Sequence, residues 1–199
     1  MNGGAIRKMA PVGVMGALLA CAPTEAAAHP MPGVSDFYAG MLHPVTAIEF
    51  LLPMIALSLL VGQQRRKLAI AMLVSFPVSL AVGAALGVLR LSPATVGQIN
   101  LGSIAVLGLL VAAARPLPPV LGVTLSTVLG LTVGIANGAE LGGQVSSYRF
   151  VPGLVLAGLM LVTNGAGCVR RWQAPWTRIG FRVAGSWIAA IGIMILSLK

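Results

Sequence analysis

Charge is what this chain most lacks. Asp, Glu, Lys and Arg together make up 9% of its 199 residues, against roughly 25% in an average soluble domain. So few charges cannot clothe a soluble globule of this length, and a water-soluble enzyme is excluded first. Acids are scarcest: Glu25, Asp36, Glu49 and Glu140 are the whole set. There are two histidines, His29 and His43, and two cysteines, Cys21 and Cys168. The cysteines stand too far apart in the sequence to suggest a metal motif or a disulfide framework. No nucleotide-binding glycine–lysine motif, serine-nucleophile elbow or paired-histidine zinc helix occurs, so enzymes of those kinds are excluded.

Apolar residues fill the space. They make up 57% of the chain, and the mean hydropathy is +0.95. Disordered chains are poor in such residues, and a membrane protein is what remains. The net charge of +9 comes from basic residues set between apolar runs, the pattern that orients a membrane protein. The bilayer is the expected partner, and nucleic acid is not.

Residues 1–28 have the form of an export signal: Arg7 and Lys8, an apolar stretch from Met9 to Ala22, and a small-residue cleavage site at Ala26-Ala27-Ala28. Cleavage there makes His29 the new N-terminus, where its amine and imidazole can chelate a metal together. Leu18-Leu19-Ala20-Cys21 offers lipoprotein processing as the alternative. Residues 29–199 then form one transmembrane domain. Six apolar runs follow, the first from Asp36 or Pro44 to Val61. The others cover Leu68–Leu89, Gln98–Ala114, Pro118–Ala136, Phe150–Cys168 and Ile179–Leu198. A spanning helix needs about 20 such residues, and lipid leaves the backbone no partner outside a helix. The fold class is therefore all-α: a polytopic membrane protein with six transmembrane helices after a signal peptide.

Loop charge sets the expected topology. Arg65, Arg66, Lys67, Arg115, Arg170, Arg171 and Arg178 all fall in odd-numbered loops. The positive-inside rule places those loops in the cytoplasm. The protein is then expected in a bacterial inner membrane with both mature termini periplasmic. Gly130, Gly134, Gly138 and Gly142 recur every four residues, and the first three make a small-residue face for helix packing. Gly83 and Gly87 offer a second, shorter contact. Pro53 and Pro77 are expected to kink their helices.

By this topology Asp36, Glu49, Glu140, His29 and His43 all lie outside or in the outer part of the membrane. Carboxylates and imidazoles together suit a divalent ion of the nickel, cobalt, copper or zinc group. Glu49 stands out, because an ionisable residue in a spanning helix is costly and is a functional candidate by default. Asp36 and His43 are seven apart and share a face if their helix begins before Asp36.

These segments resemble the HupE/UreJ family. His29-Pro30 follows the signal. Phe37-Tyr38-Ala39-Gly40-Met41-Leu42-His43-Pro44 is similar to the family's Gly-Phe-x-His-Pro stretch. Val133-Gly134-Ile135-Ala136-Asn137-Gly138-Ala139-Glu140 is similar to its His-Gly-x-Ala-His-Gly-x-Glu. The resemblance spans essentially the whole mature chain. It implies a nickel permease or metal-delivery accessory of hydrogenase and urease systems, with metalloenzyme maturation machinery as partner and nickel or a related divalent ion as cargo. Carried over by position, His43, Glu49 and Glu140 keep ligand roles. Family histidines are replaced by Phe50, Val133 and Asn137, and the helix-five region that usually holds another reads Leu161-Val162-Thr163-Asn164. Such a site is poorer in imidazole and richer in oxygen. The second reading is a structural or assembly subunit, docked through the glycine ladder, that kept the fold and lost transport. A membrane-embedded enzyme would have only Glu49 and His43 to work with.

Overall fold

The computed structural model describes residues 35–91, 95–141 and 146–198. The described residues hold seven helices: α1 (Asp36–Thr46), α2 (Ile48–Gln63), α3 (Arg66–Val88), α4 (Val96–Ala113), α5 (Pro119–Ala139), α6 (Ser147–Arg171) and α7 (Pro175–Ser197). Five of them, α3 to α7, are long and apolar enough to cross a membrane one by one. The α1–α2 pair passes the same test only together, with a 77° bend between its halves, and counted as one span it makes a sixth. The protein is a multi-pass helical membrane protein. The signal segment lies outside the described residues.

The first span is broken, which apolar patterning alone does not show. The Thr46 hydroxyl and the Ala47 N–H both donate to His43 O, which closes α1. Ala47 is extended, at φ −94° and ψ 110°, and its carbonyl accepts the first bonds of α2, from Phe50 and Leu51. Pro44 and Pro53 lie on either side. Each lacks an N–H, so the carbonyls of Gly40 and Glu49 lose their helical partners. Non-helical backbone at membrane depth is tolerated where protein covers it or a cavity takes it in.

Helix α2 is the hub. Met54, Ala56, Leu57, Leu60 and Val61 are fully buried, and α2 touches every other helix. From Pro53 onward α2 is buried on most sides, and a helix so placed is apolar nearly all round. The outer helices pair around it: α3 with α5, α4 with α7, and α1 with α6. Glycine allows each pairing. Gly130, Gly134 and Gly138 of α5 meet the backbone of Phe76, Leu80 and Ala84 on α3, and Gly83 and Gly87 of α3 meet Leu131 and Ile135 in return. The two glycine sets are therefore opposite sides of one interface, and α3 of the same chain occupies the ladder face. Gly142 lies outside the described residues. Gly40 and Gly153 do the same between α1 and α6, and Gly108, Gly185 and Gly192 between α4 and α7. Ser126 also serves this packing. Its hydroxyl does not bond within its own helix, as hydroxyls in such helices often do, but crosses to Met72 O at 2.8 Å.

One end of the bundle is fastened by Gln64, which is 4% exposed. Its amide donates to Leu60 O and Arg115 O, and its side-chain oxygen accepts from Leu117 N at 2.8 Å. Its backbone carbonyl accepts from Arg170 at 2.8 Å. The side chain thus joins the α2–α3 turn to the α4–α5 loop, and the backbone carbonyl ties that turn to the end of α6. Gln64→Ala strands the Leu117 N–H. A stranded, partly buried donor costs about 1–3 kcal/mol, so thermal unfolding in detergent is expected at a clearly lower temperature than for the parent.

Candidate metal centre

The opposite end gathers the rare polar groups. His43 sits in the last turn of α1. Gly40, one turn earlier, lets α1 lie against the backbone of Phe150 and Leu154 on α6. That approach sets the Phe150 ring edge-on to the imidazole, with centroids 5.8 Å apart. Phe50, across the break in the first turn of α2, supplies a second wall at 6.2 Å. Two aromatic rings thus hold His43 in an apolar niche, leaving its side chain 13% exposed.

Glu140 caps the C-terminal end of α5, its own N–H bonded to Ala136 O. Its Oε2 lies 2.9 Å from His43 Nε2 although the residues are 97 apart in sequence. Among the described residues this is the one contact of a basic side chain with a carboxylate. The distance is that of a hydrogen bond to a charged acceptor. With Nε2–H donating to the carboxylate, a neutral imidazole keeps its Nδ1 lone pair. A ligand nitrogen backed by a carboxylate is a common metal arrangement, since the acid fixes the ring and raises its basicity. A cation can instead replace the proton between Nε2 and Oε2 and bind both groups.

The other expected ligands separate. α1 begins at Asp36 itself and not before it, and the seven-residue spacing within the helix still puts Asp36 and His43 on one face. Its carboxylate accepts from Ser146 N at 3.1 Å. Asp36 and His43 therefore grip the α5–α6 connection from both ends, one at Ser146 and the other at Glu140. Glu49 is exposed in the first turn of α2, with no hydrogen-bond or ion-pair partner among the described residues. His29 lies outside the described residues. Among the described residues, no three His, Cys, Asp or Glu side chains converge.

Two positions where the family pattern has histidine are settled by packing. Phe50 is a wall of the niche, and Val133 is fully buried in the core. Asn137 is also fully buried. Its amide donates to Val133 O at 2.8 Å, and its Oδ1 is buried without a partner among the described residues. It lies one turn before Glu140, on the same face of α5. The sequence offered little sign of Phe150, which no motif includes.

The family described as HupE / UreJ protein matches residues 17–195 of the chain. A curated relative, "Protein HupE" of Rhizobium leguminosarum bv. viciae, is 25% identical over 174 residues, covering 87% of this chain and 91% of the relative. No solved structure matches.

Proposed function

The chain belongs to the HupE/UreJ family, and on that premise we propose that it is a membrane permease or metal-delivery accessory for a nickel-type divalent cation, and not an enzyme. The observation that carries the proposal is the 2.9 Å contact between His43 and Glu140, a nitrogen and a carboxylate held together beside a broken span. Discontinuous helices bind ions in transporters because their freed carbonyls and C-terminal ends favour cations. Here α1 ends at this place with His43 in its last turn.

With the loop charges as the guide, this end faces outward and the Gln64 end inward. Imidazole suits nickel, and oxygen donors suit harder ions less selectively. A centre of one imidazole and one carboxylate fills its remaining positions with water and binds loosely, which serves a permease better than a store. Glu49 acts before this pair: it is an unpaired carboxylate on the far side of the break, next in sequence to the Phe50 wall. Glu49→Gln is accordingly expected to weaken uptake most at low external metal, where capture limits the rate, and less at saturation. Equal loss at both concentrations would make Glu49 a ligand of the centre itself.

The test of the function is metal accumulation in cells with and without the gene. The alternative, an assembly subunit, is favoured by a stoichiometric membrane partner that co-purifies from detergent without bound metal. For that reading the Gly130–Gly134–Gly138 face is already filled by α3, so the partner would have to dock elsewhere.

A further inference from the structure

A cavity of about 440 Å³ opens at the Gln64 end, lined by Gly62, Gln63, Ala114, Gln173, Arg178 and Arg182 among others. Binding pockets for small ligands start at about 300 Å³. It lies where α2, α4 and α6 end and α7 begins. Arg178 and Arg182 are four apart on α7 and share a face. The described acids, Asp36, Glu49 and Glu140, belong to α1, to the start of α2 and to the end of α5, so none lines this cavity. The one contact of a basic side chain with a carboxylate among the described residues is the distant His43–Glu140. Both guanidinium groups are thus without a carboxylate partner among the described residues.

Two backbone carbonyls beside the cavity, Val111 O and Ala112 O, are already bonded, while Gln63 Oε1 is buried without a partner among the described residues. Gln63 Nε2 donates to Val111 O at 3.1 Å, and Arg182 Nε donates to Ala112 O at 2.9 Å. The latter bond anchors the Arg182 side chain and leaves its terminal nitrogens for another acceptor.

Depth identifies the anion. Trp172 and Trp176 are 57% and 75% exposed and line an adjoining hollow that shares Gln173 with the cavity. Exposed tryptophans of this kind sit at the headgroup level. Below them Ile179, Val183 and Trp187 run down α7, all exposed and spaced four apart. A phosphate held at Arg178 and Arg182 would have its acyl chains against that apolar stripe.

We propose that this cavity binds the phosphate of an anionic phospholipid headgroup, with Arg178 and Arg182 as its donors. Basic pockets between spanning helices bind such headgroups, and arginine suits phosphate through paired hydrogen bonds. The shared chemistry, an anionic phosphate, could also come from free phosphate, and the acyl stripe favours the lipid.

The test uses the full chain, purified in detergent and stripped of lipid. Its thermal midpoint is followed while phosphatidylglycerol, phosphatidylcholine or inorganic phosphate is added. Phosphatidylglycerol is expected to raise the midpoint saturably, with phosphatidylcholine and inorganic phosphate nearly silent. Arg178→Gln removes no hydrogen bond within the described residues, so it is expected to fold and to need about fivefold more phosphatidylglycerol. Arg115→Gln, which loses the same charge at the same end but lines neither hollow, is expected to respond as the parent does. A parent-like response from Arg178→Gln overturns the proposal. So does equal weakening by Arg115→Gln, which reports diffuse surface charge, or an equal effect of inorganic phosphate, which reports a free-anion site.

Discussion

Glu140→Gln is expected to lower metal-dependent uptake by about 10- to 100-fold, the usual effect of losing a carboxylate that backs or joins a metal ligand. The substitution separates charge from shape. The glutamine oxygen can still accept from His43 Nε2–H, so the 2.9 Å contact has a neutral counterpart and the niche between Phe50 and Phe150 keeps its form. What goes is the negative charge that draws a cation and stabilises the bound imidazole. His43→Ala removes the nitrogen as well and is expected to lose at least as much. Glu140 is half exposed, so removing its charge leaves no buried ion stranded, and membrane levels of E140Q should match the parent. The check is metal content of cells by mass spectrometry, normalised to protein in the membrane fraction. Normal uptake in both variants at normal protein level sinks the cation centre and leaves the assembly reading.

The second large effect concerns the α3–α5 interface. Gly134→Leu is expected to abolish the folded protein, seen as loss of the single peak when solubilised membranes are run by size exclusion. A Cβ at Gly134 would stand 2.7 Å from Ala84 N and 3.0 Å from Gly83 C. Both are backbone atoms that no rotamer change can move. At Gly138 a Cβ would stand 3.0 Å from Ala84 C, so α3 and α5 would have to separate along their length. Overpacking by single methylenes already costs about 1–3 kcal/mol, and leucine adds several. Better helix propensity returns only about 1 kcal/mol. Gly134→Ala is expected to fold with a reduced thermal midpoint. Gly102 provides the control, because nothing lies within 4 Å of a Cβ there. Gly102→Ala gains propensity without a clash and should raise the midpoint slightly. Equal tolerance at both positions would mean that the helices do not meet as described.

Composition and run length carried the five single-helix spans and the apolar stretch of the bent pair, because lipid forces helices and helices need a fixed number of apolar residues. The break at Ala47 was hidden. No glycine or proline stands at the break itself, and both halves are apolar, so hydropathy reads straight through it. The four-residue glycine spacing marked a packing face but not what fills it, since spacing describes one helix and an interface takes two. His43 and Glu140 were singled out by scarcity and resemblance. Their contact across 97 residues depends on how α1 and α5 pack, which no local pattern encodes. Gln64 gave no signal at all: in a Gln-Gln-Arg-Arg turn it looks like solvated loop, and only the three converging segments make it a fastener. Ser126 shows the same limit, because a hydroxyl satisfied across a helix pair looks the same in sequence as one satisfied within its own turn.

The pairing of α1 with α6 also sets an order of assembly. Asp36 meets Ser146 across 110 residues, so the principal partner of α1 has not yet been made when α1 itself leaves the ribosome. At about 5–20 residues per second, that gap lasts about 5–20 s. Throughout it α1 has only α2, of the helices it packs on most, to lie against. The first described helix to be synthesised is thus among the last to be packed. The His43–Glu140 contact likewise joins α1 to a residue made 97 positions later.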